Sequence, residues 1–451
     1  MKPIFKVLKD INRQSTRLLI YSSLILIVSS CLMQYPFHTD IYNAWNDAKS
    51  YQKASEWLYS SDHFASFGRP FLFPLLIGLP RVLGFEYSTS FVAFLNLICW
   101  FSTIGLLFKV VKDISNEKTA FIMALILASC VSFHCFLFLV HTEVIYAFVL
   151  LSHVFCLYQY LKTQSGNWFY GAVWLLGASV VIRSTLTYFV FALYFMLIVL
   201  VILRKMRLKQ FAIISLLFLS TMGLQMLNMY RVTNSFKISY IGEVDWYMYV
   251  SAYATVVQNN PNQTLDFYAK EWEKEMTKRD EGAWIIGSNY TKDDAKRLPA
   301  IENLIHADMK KQLMENKKAL TFTFFRSLFV NSRGGTQFAL AAKNGFNLPY
   351  FGTIQRGFLK ISQVQNILNS GLVLLILPVF FIKKYKKKRN SVDKAFLLAL
   401  YSWFLAFSIM VFSTIAFTQG DRFHVVTVPL TLFSVARLFF SQKISLSDSV
   451  Q

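Results

Sequence analysis

The chain has 451 residues, of which 55% are hydrophobic and only 16% are charged, and its mean hydropathy is +0.41. Soluble domains carry about a quarter charged residues, so this composition excludes an ordinary water-soluble protein. The formal charge of +21 does not indicate nucleic-acid binding, because the basic residues cluster in short segments between apolar stretches, at 2–17, 109–118, 204–209 and 383–389.

Apolar stretches of about twenty residues are predicted to span a membrane. With the amino terminus in the cytosol, every basic cluster falls on the cytosolic side, where Lys and Arg of short loops are usually retained. We therefore expect an all-α polytopic membrane protein of about 10–11 transmembrane helices, counting a short membrane helix near 319–331. The ten main stretches are 18–35, 89–110, 119–134, 143–161, 168–183, 185–203, 210–229, 366–383, 394–416 and 424–440.

Two hydrophilic segments are predicted on the extracytoplasmic side. The first external loop, 36–88, lies within an N-terminal transmembrane region of residues 1–230. The second segment, 231–365, is too long and too mixed in charge for a simple loop, and helices are expected at 265–279 and 301–320. Residues 366–451 form the C-terminal transmembrane region.

The first external loop contains a predicted amphipathic helix with apolar residues every three or four positions over 41–58. Asp40 stands where this helix would begin, so capping is one interpretation of it. Asp47 lies two turns further on and cannot be a cap, although a solvated polar-face position remains open. Pro70 and Pro74 then interrupt an apolar stretch too short to span, which predicts a short helix packed back on the bundle.

Further charged residues lie at the predicted extracytoplasmic ends of spans. Glu143 opens one span, where a carboxylate also offsets the helix dipole. Arg183 closes another and either snorkels to the interface or binds an anion. Asp421 and Arg422 follow Gly420, and a turn accounts for the aspartate but not for the arginine.

Metal and nucleotide sites are not expected. The five cysteines lie in or beside apolar stretches without a CxxC pair, and the histidines show no HxxxH or HExxH spacing. The chain has no Walker A, GxGxxG or GxSxG motif, so neither a cofactor nor a cytosolic nucleotide is predicted.

Four motifs resemble the GT-C-type glycosyltransferases, in particular the bacterial branch that includes protein mannosyltransferases and lipid A aminoarabinose transferases (glycosyltransferase family 39-like). Asp47 with Tyr51 and Ala54, followed by Arg-Pro-x-x-x-Pro-Leu-Leu from Arg69, is similar to the family's first external loop. Three later segments are similar to the family's second acidic position, its span ending in arginine, and its late arginine element, in which Phe423 replaces the common Tyr: His141-Thr-Glu143, residues 171–183, and Gly420-Asp-Arg-Phe-His with Pro429.

The resemblance implies an inverting transfer of a sugar from a polyprenyl-phosphate carrier to a cell-envelope glycan, lipid or protein acceptor at a bacterial cell membrane. The phosphate leaves without a general acid, so the site needs one carboxylate base and cations around the phosphate. Asp47 is the expected base, and Glu143 is the second acidic residue expected to be catalytic. Arg183, Arg422 and Arg69 are expected to bind the donor phosphate, and three residues to bind substrate: Asp40, Tyr51 and Asp421.

Two other functions remain open at this level. An O-antigen or polysaccharide polymerase is also polytopic with a large external loop, and Arg333 with its two following glycines is compatible with it. A lipid-glycan transporter or flippase is disfavoured, because transporters place charges at the bilayer midplane and the spans here carry almost none.

Overall fold

The structure is a computed structural model that describes residues 13–34, 46–60, 68–85, 89–283, 292–334, 349–387, 393–415 and 420–440. It is 87% helical without strands across these ranges. A helix satisfies its backbone hydrogen bonds internally, which is what a lipid environment requires. The expected all-α polytopic architecture is confirmed.

The helices are numbered α1 to α21 in chain order. The first twelve are α1 (Arg13–Met33), α2 (Asn46–Tyr59), α3 (Leu72–Ile77), α4 (Leu79–Val82), α5 (Thr89–Ile114), α6 (Glu117–Ala128), α7 (Val131–Leu137), α8 (Glu143–Thr163), α9 (Gly166–Ile182), α10 (Thr187–Ile202), α11 (Leu208–Phe218) and α12 (Leu224–Thr233). The other nine are α13 (Ile241–Asp245), α14 (Ala252–Asn259), α15 (Leu265–Ala283), α16 (Lys292–Glu315), α17 (Lys317–Arg333), α18 (Phe351–Gly371), α19 (Leu377–Lys387), α20 (Lys394–Phe412) and α21 (Gly420–Phe439). Single π-helical turns join α11 to α12, α13 to α14 and α18 to α19.

Each of the ten predicted spans corresponds to an apolar helix or helix pair. Eight helical segments in the described part are long and apolar enough to cross a membrane. A ninth predicted span, 119–134, corresponds to the pair α6 and α7, which is bent by 56° into a broken span or a re-entrant loop. The tenth is the shorter helix α9. The predicted short helix near 319–331 forms α17.

The most enclosed helices are those that begin or end at the charged positions. In α21, 78% of the spanning residues are buried, against 17% for the segment Ser184–Ile202, which contains α10. Helix α8 packs against α5, α9 and α21 within one continuous hydrophobic core. The charged ends of α8 and α21 therefore sit inside the protein, whereas α10 presents its side chains outward.

The first external loop packs α2 onto the short helix α3. Residues 41–45 of the predicted amphipathic helix lie outside the described residues, and Ala48, Tyr51 and Ala54, three of its apolar positions, are buried inside the protein. A Cβ placed on Gly78 would lie 2.3 Å from the Ser55 Oγ, so only glycine allows this approach. The Tyr59 hydroxyl donates to the Leu75 carbonyl over 2.7 Å. These contacts hold α2, and with it Asp47, against the bundle.

Helices α13, α15 and α16 share a second apolar cluster, and α14 packs on α15 in a third. The helix predicted at 265–279 is confirmed and extends to Ala283. The helix predicted at 301–320 instead belongs to two helices, because the backbone leaves the α conformation at Asn316 (φ −112°, ψ 30°). These external helices meet the bundle through α17, which packs against α18, α21 and the turn after α20.

Candidate active site

A cavity of about 170 Å³ lies where several segments distant in sequence meet. Its walls come from α2, the segment after it, the junction of α9 and α10, the helical segment starting at α13, the end of α20 and the start of α21. The lining includes Asp47, Tyr51, Arg69, Arg183, Asp245 and Arg422.

The Asp47 carboxylate is held between two guanidinium groups. One oxygen accepts a hydrogen bond from Arg69 Nη2, and the other accepts one from Arg422 Nη1 at 2.7 Å. Burial would raise the pKa of Asp47, but the charges of Arg69 and Arg422 outweigh it and hold that pKa well below its usual range. Asp47 is therefore ionised at neutral pH.

Arg69 is positioned by the same helix that carries Asp47. Its Nε donates to the Ser50 Oγ at 2.9 Å, and its guanidinium carbon lies 4.5 Å from the centre of the Tyr51 ring. Stacking on an aromatic face suits the weakly hydrated guanidinium group. Residues 47, 50 and 51 of α2 thus all contact this arginine and fix its position.

Glu143 lies behind the cavity rather than in its wall, with no solvent exposure. Its Oε1 accepts hydrogen bonds from Arg183 Nη1 and from Arg422 Nε, each at 2.5 Å. Arg422 therefore bridges Asp47 and Glu143 through different nitrogens. A buried charge of this kind is stable only when paired and hydrogen-bonded, as it is here.

His141 adds no positive charge to this network. Its Nδ1 lies 3.7 Å from Glu143 Oε2, and its side chain is buried. Burial lowers the pKa of His141 to about 4, despite the nearby Glu143 carboxylate. At neutral pH the imidazole is therefore uncharged.

Arg183 follows the last residue of α9, where the backbone becomes extended (φ −148°, ψ 123°). Its Nε donates to the Thr185 Oγ1 at 3.2 Å, and its guanidinium carbon lies 4.9 Å from the centre of the Phe423 ring. Phe423 directly follows Arg422. The first turn of α21 therefore supplies both Arg422 and the aromatic ring that contacts Arg183.

Sequence reasoning missed Asp245, the last residue of α13 and part of the cavity wall. Burial and the neighbouring charge of Asp47 raise its pKa to about 7, although Arg69, Arg422 and Arg183 act in the opposite direction. The available signal was an acid inside the aromatic-rich stretch 240–253. The long segment 231–365 thus supplies part of the site.

Most of the predicted site residues converge. Asp47, Tyr51, Arg69, Arg183 and Arg422 line the cavity, and Glu143 holds two of the arginines from behind. Asp40 lies outside the described residues, and so does the side chain of Asp421.

Three guanidinium groups thus face two carboxylates, which leaves one positive charge in excess before Asp245 is counted. Because the groups are largely withdrawn from bulk water, this excess acts at short range with little screening. The arrangement favours an anionic ligand whose oxygens can share the arginine donors.

A separate pair of glutamates outside the cavity shares one lysine. Lys237 Nζ donates to both Glu243 oxygens at 2.7 and 2.8 Å and lies 2.6 Å from Glu302 Oε1. These two carboxylates therefore form an ion-pair cluster with the lysine.

Comparison with known proteins points to one family. Residues 68–224 match the family model described as dolichyl-phosphate-mannose-protein mannosyltransferase. This region contains Arg69, Glu143 and Arg183. No curated protein is similar enough in sequence to match the chain.

Two solved structures of ArnT from Cupriavidus metallidurans are similar to the chain at low identity. The structure bound to undecaprenyl phosphate is 12% identical, with a TM-score of 0.36, covering 94% of this chain and 78% of that chain. The apo structure is 10% identical, with a TM-score of 0.37, covering 95% and 78%. The family-model match over 68–224 confirms the resemblance to GT-C-type, polyprenyl-phosphate-sugar-dependent glycosyltransferases that the sequence motifs indicate.

Proposed function

We propose that this multi-pass membrane protein is a glycosyltransferase that moves a sugar from a polyprenyl-phosphate carrier to a cell-envelope acceptor. The observation that carries the proposal is the convergence of Arg69, Arg183 and Arg422 on two carboxylates at one cavity. Such a set suits a reaction in which negative charge develops on a departing phosphate. The family-model match supports the same reaction class.

The arginines are proposed to bind the donor phosphate by exchanging carboxylate oxygens for phosphate oxygens. Guanidinium groups bind both anions through the same pair of donors. Arg422 and Arg69 line the cavity and reach Asp47, so they are placed to make this exchange. Arg183 stays tied to Glu143 at one nitrogen and faces the cavity beside them.

Asp47 is proposed to be the general base. When the phosphate engages Arg69 and Arg422, the carboxylate loses part of its pairing and its proton affinity rises. It can then orient the acceptor hydroxyl and take its proton while the oxygen attacks the anomeric carbon from the side opposite the phosphate. This geometry inverts the anomeric carbon, and the phosphate needs no acid to leave.

The lipid part of the donor is proposed to leave the cavity along α10. Tyr188 lines the cavity and is 68% exposed, and Phe191, Phe195 and Met196 on the same helix are also exposed. An exposed apolar surface on a membrane helix faces lipid, so the carrier chain can stay in the bilayer while its phosphate enters the cavity.

The site is proposed to lie on the extracytoplasmic side. The ends of the helices opposite the cavity carry Lys112, Lys162, Lys384 and Arg437, and the ion pairs Lys112–Glu117, Lys162–Asp113 and Arg437–Asp393 lie there. Basic residues at short cytosolic connections agree with this orientation. In this proposal the regions 1–230 and 366–451 hold the donor in a bacterial cell membrane, and 231–365 contributes the acceptor side.

Glu143 is proposed to act by positioning the two arginines. Glu143→Gln should lower kcat at least about tenfold, because Arg183 and Arg422 lose the charge they share. Binding of undecaprenyl phosphate should persist, because the variant lacks one of the carboxylates that compete with the phosphate for the arginines. Single-turnover transfer and donor binding measured on the same preparation check both expectations. Unchanged kcat would reject the positioning role.

The alternative functions find less support. Arg333, the residue compatible with a polysaccharide polymerase, lies with its guanidinium carbon 4.9 Å from the centre of the Phe329 ring and does not line the described cavity. Arg183 and Arg422, which do line it, sit at helix ends, whereas a transporter is expected to place such charges at the midplane.

The proposal is tested by comparing envelope glycans, lipopolysaccharide and glycoproteins by mass spectrometry with and without the gene. One sugar should disappear from a single class and return when the gene is restored. Purified protein should then release polyprenyl phosphate from the matching lipid-linked sugar only when acceptor is present. Unaltered glycans together with no donor turnover would refute the proposed function.

A further inference from the structure

Asp245 is held against the cavity by the packing of the external helices. Val244 and Met248, on either side of it, are buried in the apolar cluster with Ile301 and Ile305. The π-helical turn that follows is fastened by Arg279, whose Nη1 donates to the Tyr247 carbonyl at 2.9 Å. The position of Asp245 is therefore set by a folded unit and not by a loose loop.

The two acids of this helix face different surroundings. Glu243 is paired with Lys237, away from the cavity lining. Asp245 lines the cavity together with Asp47, and its carboxyl group makes no hydrogen bond or ion pair with another described residue. A carboxyl group without a partner among the described residues, in a cavity that contains three arginines, is available to a ligand.

Asp47 and Asp245 therefore differ in what they can do with a proton. Both Asp47 oxygens accept hydrogen bonds from guanidinium groups, which favour its ionised form. Asp245 has no such bond from a described residue, and burial together with the Asp47 charge raises its pKa to about 7 against the effect of Arg69, Arg422 and Arg183. Two carboxyls with divergent proton affinities in one site are the usual arrangement for moving a proton.

We infer that Asp245 is a second catalytic carboxyl, which receives the acceptor's proton from Asp47 and keeps it until the product leaves. This inference rests on the proposed glycosyl transfer. The acceptor O–H bond breaks as its oxygen bonds to the anomeric carbon. The bond from that carbon to the phosphate oxygen breaks, and the electron pair leaves on the phosphate. The proton passes to Asp47 and then to Asp245.

The structure also assigns the acceptor to the α13 side of the cavity. The arginines occupy the wall formed by the membrane helices and the first external loop. A separate part of the lining comes from α13 and the turn after it, including Ile241, Asp245 and Tyr249.

The test compares Asp245→Asn with Glu243→Gln, a charge-neutralising change on the same helix outside the cavity. Asp245→Asn should lower kcat by about 10²-fold, the usual scale for loss of a positioned acid–base group. Binding of undecaprenyl phosphate should change by less than about threefold, since this carboxyl does not hold the arginines. Glu243→Gln should transfer like the native protein.

The pH profile separates a proton acceptor from a structural residue. Asp245 works when ionised, so native kcat should rise with pH through about 7 and then level off. This rise of kcat with pH should be absent in Asp245→Asn and present in Glu243→Gln. Native kcat with an unchanged rise in Asp245→Asn would overturn the inference, as would an equal loss of kcat and donor binding.

Two further results keep the outcome unambiguous. If Asp245→Asn does not reach the membrane folded, Asp245→Glu provides a second variant, because it retains the acid on a longer side chain. It should keep transfer, and its kcat should rise over a different pH range from that of the native protein. A rise over the same pH range would reject the inference. If native protein transfers no sugar while Glu243→Gln and native protein bind the donor equally, the proposed function itself has failed. If Asp47→Asn is inactive and Asp245→Asn is fully active, only the inference about Asp245 has failed.

Discussion

Replacing Asp47 with Asn is expected to reduce sugar transfer by about 10² to 10⁴-fold, the usual contribution of a positioned general base. The amide has nearly the same shape, so it still accepts one of the hydrogen bonds now made by Arg69 and Arg422. It cannot take the acceptor's proton. Expression and membrane insertion should be preserved. Single-turnover transfer from a lipid-linked sugar, measured in detergent or nanodiscs, checks the rate.

The matched control is Glu56→Gln, on the same helix as Asp47. Glu56 makes an exposed ion pair with Arg81 at 3.2 Å, and its side chain is 53% exposed. Exposed pairs of this kind contribute little to stability, so transfer should be unchanged. Near-normal transfer by the Asp47→Asn protein would reject Asp47 as the base.

Arg422→Ala should have the second large effect, because Arg422 links the two carboxylates of the site. Its Nη1 donates to Asp47 and its Nε to Glu143. Losing one charge-assisted contact to phosphate weakens binding by about 10- to 100-fold. Donor affinity should therefore fall more than acceptor affinity, as measured by titration with undecaprenyl phosphate and with acceptor.

The same substitution should lower stability. Removing Arg422 leaves Glu143 buried with Arg183 as its remaining arginine partner, and breaking a buried pair costs about 3–5 kcal/mol. Arg422→Lys keeps the charge but cannot reach both carboxylates with a planar fork, so it should recover stability more than transfer.

Arg437→Gln is the control, since Arg437 pairs with Asp393 at the opposite end of α21. It should leave donor affinity unchanged. Equal donor affinity in the Arg422→Ala and native proteins would contradict the role of Arg422 in binding phosphate.

The sequence by itself determined the membrane architecture, because hydropathy and basic clusters are local properties. Each of the ten predicted spans is an apolar helix or helix pair, and α3 forms where Pro70 and Pro74 predicted a short helix. Positions at span ends singled out Arg183 and Arg422 as candidates, and Asp47 was singled out by its place inside the predicted amphipathic helix and by the family resemblance.

Only the tertiary structure decided which charges meet. Arg422 and Asp47 are 375 positions apart in the chain and are joined by a hydrogen bond, a contact that no local pattern records. Glu143 is buried behind the cavity wall, where it pairs with both Arg183 and Arg422. Asp245 became a candidate because the packing of α13 places it beside Asp47, and its proton affinity depends on that environment and not on its neighbours in sequence.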